Sequence, residues 1–412
     1  MTSAGEEAVV GDAAGITTAA EAGTAGALKR LLPPSLASLF DASFIRSCVL
    51  YDEFVHRLVL RVFRETGLEA AAREAGSAEE IAARAGLEAA RARVPLGWIL
   101  RHLAARQVLD EVGAGEGIRR FRARDALPAL DPSPLRDEQR RHDPAWLPSY
   151  VLAETVAQDY PAFFRGTATG EEILFAPARL RLWRDYFSND NGLYAVNNRV
   201  GAVAVEEWMP RRGGAILELG GGLGSAATAV LERLEGAGRL GEIREYRFTE
   251  IVPAFLRRGQ WVLQARFPDA SFLTFGPLDM DRSFEEQGVA PESLSVVYAV
   301  NTLHVANDLE FTLGEVIHAL EPGGRLIASE CVRPMPGQPV YPEFVFNLME
   351  AFRSPRLHPT YRPNGGFLTP EQWTGAMEAA GFVDVRFLPD IVRIRDRFPT
   401  FFVAAIGATR RS

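Results

Sequence analysis

From Gly214 to the C-terminus, short apolar runs alternate with stretches of helical periodicity. Ala215-Ile-Leu-Glu-Leu, Tyr246-Arg-Phe-Thr, Phe272-Leu-Thr-Phe, Ser295 to Val300 and Arg325 to Ser329 have the length and composition of strands buried on both faces, as a parallel sheet requires. Ser225 to Leu234 and Asp308 to Leu320 are helical in pattern, and the second closes with Pro322-Gly-Gly. Strand–helix–strand units cross over right-handed and set their strands parallel, so this half reads as an α/β, Rossmann-like domain. Thr369-Pro-Glu-Gln372 opens a capped helix to Ala380, and Gly381 stops it. Val383-Asp-Val-Arg-Phe and Phe401 to Ile406 predict two last strands as a terminal hairpin, making seven in all. Before them, Phe344, Leu348 and Phe352 lie at helical spacing within Tyr341 to Phe352, a stripe that more often marks core than pocket.

The N-terminal half is organised differently. Residues 1–30 show no apolar periodicity and predict a mobile tail. Ser77-Ala-Glu-Glu80 is a capping box for a helix to Ala85, with Gly86 as its stop, and a second helix is predicted from Pro95 to Gln107. Val108-Leu-Asp-Glu-Val-Gly and Ile118-Arg-Arg-Phe-Arg read as a hairpin, so residues 31–145 have a winged-helix outline. Residues 146–205 are expected to form a helical linker or lid, and 206–412 the α/β domain. Tyr186-Phe-Ser-Asn-Asp-Asn-Gly-Leu-Tyr-Ala-Val-Asn-Asn-Arg199 is amide-rich, which suits a lid as well as a capped interdomain linker.

Composition narrows the classes. The 412 residues exceed one typical domain, and 47% hydrophobic content supports sizeable cores. Two distant cysteines, Cys48 and Cys331, exclude a disulfide framework and a cysteine-rich zinc site. No apolar run would span a membrane and no secretory signal opens the chain, so a cytoplasmic protein without membrane partners is expected. Arg119, Arg120, Arg122 and Arg124 cluster on the wing, but a net charge of −8 argues against nucleic acid as partner. Lys29 is the only lysine, which excludes Schiff-base chemistry and a P-loop.

The chemistry centres on Ala215-Ile-Leu-Glu-Leu-Gly-Gly-Gly-Leu-Gly-Ser225. Acidic-x-Gly-x-Gly-x-Gly after a strand is a fingerprint for S-adenosylmethionine, with Glu218 facing the cofactor's charged amino-acid end and Gly220, Gly222 and Gly224 allowing close backbone approach. A dinucleotide loop from Gly220 needs glycine where Ser225 stands. A frame from Gly222 fits G-x-G-x-x-A through Ala227, but leaves Glu218 unexplained. Glu250, ending the second strand, could accept from ribose hydroxyls, and Asp279, after the third, from an adenine amino group. Of six histidines, His304 falls just after the fourth strand, and Glu330 ends the fifth. The crossover brings those strand ends together, so the two side chains should meet. A neutral imidazole oriented by a carboxylate can serve as general base; the alternative is a structural histidine beside a strand-end carboxylate.

Five ordered motifs carry a family resemblance: Leu217-Glu-Leu-Gly-Gly-Gly-Leu-Gly, Tyr246-Arg-Phe-Thr-Glu-Ile, Leu278-Asp-Met-Asp, Ala299-Val-Asn-Thr-Leu-His and Leu320-Glu-Pro-Gly-Gly-Arg-Leu-Ile-Ala-Ser-Glu. Residues 215–332 resemble the C-methyltransferase domains of polyketide synthases, and the N-terminal pattern is similar to the dimerisation domain of small-molecule O-methyltransferases. The resemblance implies S-adenosylmethionine as methyl donor, S-adenosylhomocysteine as product and no metal. It gives His304 the role of base and Glu330 that of orienter, with Asn301 joining the cofactor-binding set. Expected substrate contacts are Tyr186, Tyr194, Asn198, Phe344 and Phe352. The expected substrate is a free or carrier-bound acyl intermediate methylated at an acidic carbon; O-methylation of a phenol or hydroxyl and a non-catalytic cofactor-binding regulator stay open. A homodimer held by residues 31–145 is expected, as is a free-standing enzyme, since no ketosynthase or carrier segment flanks the motifs.

Overall fold

The computed structural model describes residues 13–115, 118–124, 126–210 and 214–412. Strands β1 (Leu109–Gly115) and β2 (Ile118–Ala123) form the expected antiparallel hairpin. Seven strands make the main sheet: β3 (Gly214–Leu219), β4 (Ile243–Thr249), β5 (Leu273–Gly276), β6 (Leu294–Val300), β7 (Leu320–Cys331), β8 (Phe382–Leu388) and β9 (Val403–Arg410). Their order is β5-β4-β3-β6-β7-β9-β8. The first five are mutually parallel, and β9 runs antiparallel to both β7 and β8. Every residue of β3 and β6 is buried, because helices cover both faces. The chain reverses its winding direction between β3 and β6, which leaves a crevice at their carboxyl ends.

The N-terminal helices are part of the same core. Helix Ala42–Glu65 buries Phe54, Val55, Leu58, Val59, Val62 and Phe63 completely, and one continuous apolar cluster joins them to Ile216, Val230 and Ile327 of the sheet region. The capping boxes at Ser77 and Thr369 both form. Wing arginines Arg119, Arg120 and Arg124 are ion-paired with Glu111, Glu80 and Asp110.

Three local expectations are corrected. Of the tail expected over 1–30, residues 1–12 lie outside the described residues, but Ala13–Lys29 is a helix that buries Leu28; alanine, the strongest helix former, makes up much of it. The helix expected from Pro95 begins at Ala89 and carries Pro95 inside it, where burial of Ala92, Leu96, Ile99 and Leu103 offsets the missing donor. The stripe Tyr341 to Phe352 is two short helices, Glu343–Phe346 and Glu350–Arg353.

Candidate active site

The glycine loop leaves β3 with Gly220, Gly222 and Gly224 all at positive φ (+61°, +58° and +87°), which side chains rarely adopt. The N–H of Gly221 donates to the Thr249 carbonyl (2.8 Å), tying the loop to the end of β4. The N–H of Gly222 donates to Oε2 of Glu250 (2.9 Å), and Oε1 of Glu250 accepts from Val252 N–H (2.8 Å). Burial raises the Glu250 carboxyl above its ordinary value. A side chain at Gly222 would point into open space, whereas one at Gly224 would stand 3.2 Å from the Gly259 Cα.

Above this loop lies a cavity of about 560 Å³. Gly220, Gly222, Glu250, Asp279, Asn301, His304, Tyr186 and Tyr194 all line it. Asp279 accepts from Asp281 N–H (3.0 Å), and Oδ1 of Asn301 accepts from Cys331 N–H (3.0 Å). Asn301 itself sits at φ +49°, a left-handed conformation that Asn tolerates better than most residues.

Six expected site residues lie outside the cavity wall: Glu330, which stands behind His304, and five others. Glu218 alternates with Leu217 and Leu219 along β3, so it shares the face of Ile216 and turns into the core. There its Oε2 accepts from the Tyr246 hydroxyl (3.0 Å), and burial pushes its carboxyl up to about 8. Gly224 serves packing against Gly259. Asn198 is fully buried and donates to Asn189 (2.8 Å). Phe344 stacks on Tyr160 in the core. Phe352 packs behind His304, with ring centroids 5.6 Å apart.

His304 and Glu330 meet as the crossover required. Nδ1 of His304 lies 2.6 Å from Oε2 of Glu330, with both side chains almost wholly buried. A carboxylate only accepts, so Nδ1 carries the proton and Nε2 keeps its lone pair in the neutral ring. Oε1 of Glu330 accepts from Thr302 N–H (3.1 Å) and Leu303 N–H (2.9 Å), which fixes the turn carrying the histidine. Phe367 packs against the imidazole with a centroid distance of 4.7 Å. Fully buried Arg362 donates to the carbonyls of His304 and Ala306 (2.7 Å each), and burial lowers its guanidinium to about 10.

Several wall residues escape a reading of the sequence. Phe44, Cys48 and Asp52 reach the cavity from helix Ala42–Glu65, and Phe346, Phe367 and Phe401 from the C-terminal third. Burial pushes the thiols of Cys48 and Cys331 up to about 12, so neither is an activated nucleophile. Asn197 also lines the cavity, and the amide-rich run was its only local signal. Among the described residues, no group of three or more His, Cys, Asp and Glu side chains is placed to hold a metal, and no helix is long and apolar enough to cross a membrane.

Part of this chain matches a known family of domains. Residues 217–326 match the family described as a methyltransferase domain. Highly reducing polyketide synthase 2 of Gibberella zeae is 30% identical over 243 residues, which is 57% of this chain and 9% of that protein; the chain therefore spans only a small fraction of this much longer relative. The CurJ carbon methyltransferase superimposes with a TM-score of 0.72 at 22% identity, covering 96% of this chain and 99% of that one. The trans-methyltransferase CalH, solved with S-adenosylhomocysteine, gives 0.59 at 19% identity over 89% and 92% of the two chains. The chain thus carries a methyltransferase domain, built on the class I fold that it shares with carbon methyltransferases of polyketide synthesis.

Proposed function

We propose that this protein is an S-adenosylmethionine-dependent methyltransferase that methylates an acidic carbon of a polyketide-like acyl intermediate. The residues present fit the cofactor: Gly222 leaves open space beside the loop, Gly220 lets Thr302 pack close against it, and Glu250 and Asp279 put carboxylates in the wall of the same cavity. Bound there, S-adenosylmethionine would supply a methyl group already activated on a sulfonium. What remains for the protein is to hold the acceptor and remove its proton. Nε2 of His304 takes that proton, and Glu330 holds the ring and stabilises the imidazolium. The aromatic walls at Tyr194, Phe346 and Phe367 accept an apolar chain and keep water from the reacting atoms. Residues 31–145 are read as a dimerisation region that also roofs the cavity, residues 146–205 as the lid.

The observation that carries this reading is the His304–Glu330 contact of 2.6 Å at the cavity wall. The same base would serve a hydroxyl, and the product decides between the two. Incubation with methyl-labelled S-adenosylmethionine and a β-ketoacyl pantetheine thioester should place the label on the α-carbon, as read by mass spectrometry and NMR. Label on oxygen would move the assignment to O-methylation, and no transfer at saturating cofactor would favour a binding protein without turnover.

A further inference from the structure

We infer that Oδ1 of Asn197 receives the α-ammonium of S-adenosylmethionine, an assignment that rests on the cofactor reading above. Two amides, Asn197 and Asn301, meet at the switch point of the sheet. The N–H of Cys331 donates to Oδ1 of Asn301 at 3.0 Å, which decides the way the Asn301 amide faces. Nδ2 of Asn197 donates to that same oxygen at 2.7 Å. Reversing the Asn197 amide would set two carbonyl oxygens against each other, so its orientation is settled by this chain of bonds. Its Oδ1 is left buried without a partner among the described residues, although Asn197 lines the cavity and is 3% exposed. The helix is pinned at this point, because the Ser329 hydroxyl donates to the Asn197 backbone carbonyl (2.7 Å). A buried acceptor held so firmly and left unmatched is the mark of a site completed by a ligand's donor.

The position of this oxygen says which donor. Asp279 and Glu250 mark the wall taken by the adenosine end, and Gly220 the floor next to it. Asn301 directly follows β6, the neighbour of β3, and Thr302 packs on Gly220. The Asn197–Asn301 pair therefore stands past the glycine loop, on the side away from β4, where the amino-acid end of the cofactor would fall. A cation there needs acceptors, and Glu218, which the motif offers for that purpose, is turned into the core. An acyl thioester presents few donors, whereas an ammonium presents three N–H groups.

A thermodynamic cycle on the full-length protein tests the assignment by calorimetry. The ligands are S-adenosylhomocysteine, its analogue with the α-ammonium replaced by hydrogen, and 5′-methylthioadenosine, which lacks the amino-acid end. In wild type, loss of the ammonium should weaken binding by roughly ten- to a hundred-fold, the usual worth of a buried hydrogen bond to a charged group. In Asn197→Ala the affinity for S-adenosylhomocysteine should fall by a similar factor, the deaminated analogue should bind about as well as S-adenosylhomocysteine, and 5′-methylthioadenosine should bind as in wild type. Should Asn197→Ala not fold, Asn197→Gln, which displaces the oxygen by one methylene, enters the same cycle. Equal loss for S-adenosylhomocysteine and its deaminated analogue overturns the assignment, as does no loss for either. Failure of wild type to bind S-adenosylhomocysteine at all is a different result: it removes the cofactor reading, and the assignment with it.

Discussion

Glu330 uses one oxygen to orient His304 and the other to hold the turn on which His304 rides. The two roles separate in mutants. His304→Ala should keep its affinity for S-adenosylhomocysteine and lose turnover by roughly two to four orders of magnitude, the usual worth of a positioned base. Glu330→Gln should lose less turnover but about 1–3 kcal/mol of stability, since an amide cannot accept from both backbone N–H groups and the ring at once. Urea unfolding beside steady-state kinetics measures both, and near-normal turnover of His304→Ala at saturating substrate would return that residue to a structural role. Glu218 makes a separate prediction about pH. Its carboxyl is raised by burial from 4.5 to about 8, so its contribution to stability is full below pH 4.5 and is lost as pH rises through about 8. Urea midpoints of the cofactor-free protein should therefore fall from pH 5 to 8, and Glu218→Gln should flatten that slope. Parallel slopes in the two proteins would show that Glu218 is not the group responsible.

At the scale of elements, the glycine loop divides its work between ligand and packing. Gly222→Val puts its side chain into the open cavity, and should abolish S-adenosylhomocysteine binding while leaving a folded protein. Gly224→Val drives its side chain toward the Gly259 backbone and should lower the melting temperature more than Gly222→Val does. Calorimetry and thermal melts separate the two; equal melting losses would remove the distinction. Helix limits were legible where a capping residue announced them, as at Ser77 and Thr369. They were not legible in Tyr341 to Phe352. There the Leu348 carbonyl lies against Gly170, where an added Cβ would stand only 1.6 Å from its oxygen, and Glu171 accepts from the Glu350 N–H (2.7 Å) to start the next turn. A neighbour 179 residues away breaks that helix, so no local period could reveal it.

For the whole molecule, the N-terminal helices do more than the sequence reading assigned to them. Helix Ala42–Glu65 packs on helix Leu147–Phe164 and supplies Phe44, Cys48 and Asp52 to the cavity wall. Much of the apolar surface that argued for a dimer is therefore covered by the chain itself. The proposed homodimer has the exposed Val112, Ile118 and Leu130 to build on. Light scattering of the full chain at micromolar concentration should give twice the monomer mass, and Ile118→Asp should return it to the monomer. A monomeric wild type would limit residues 31–145 to their place over the cavity.

The sequence by itself determined the α/β class, the strand series, the glycine loop and the meeting of His304 with Glu330. Each of these follows from local periodicity, or from the handed crossover that joins neighbouring strands. Tertiary structure alone decided which face of β3 carries Glu218, because alternation along a strand fixes parity but not the identity of the layer on each side. It also decided that Arg362, Phe367 and Asn197 gather around His304 and its loop, and that helix Ala42–Glu65 lines the cavity. Those contacts join residues 58 to 104 positions apart, or link the first and last thirds of the chain. Such pairings leave no local pattern, because what selects them is the shape of the packed core and not the order of residues along any one element.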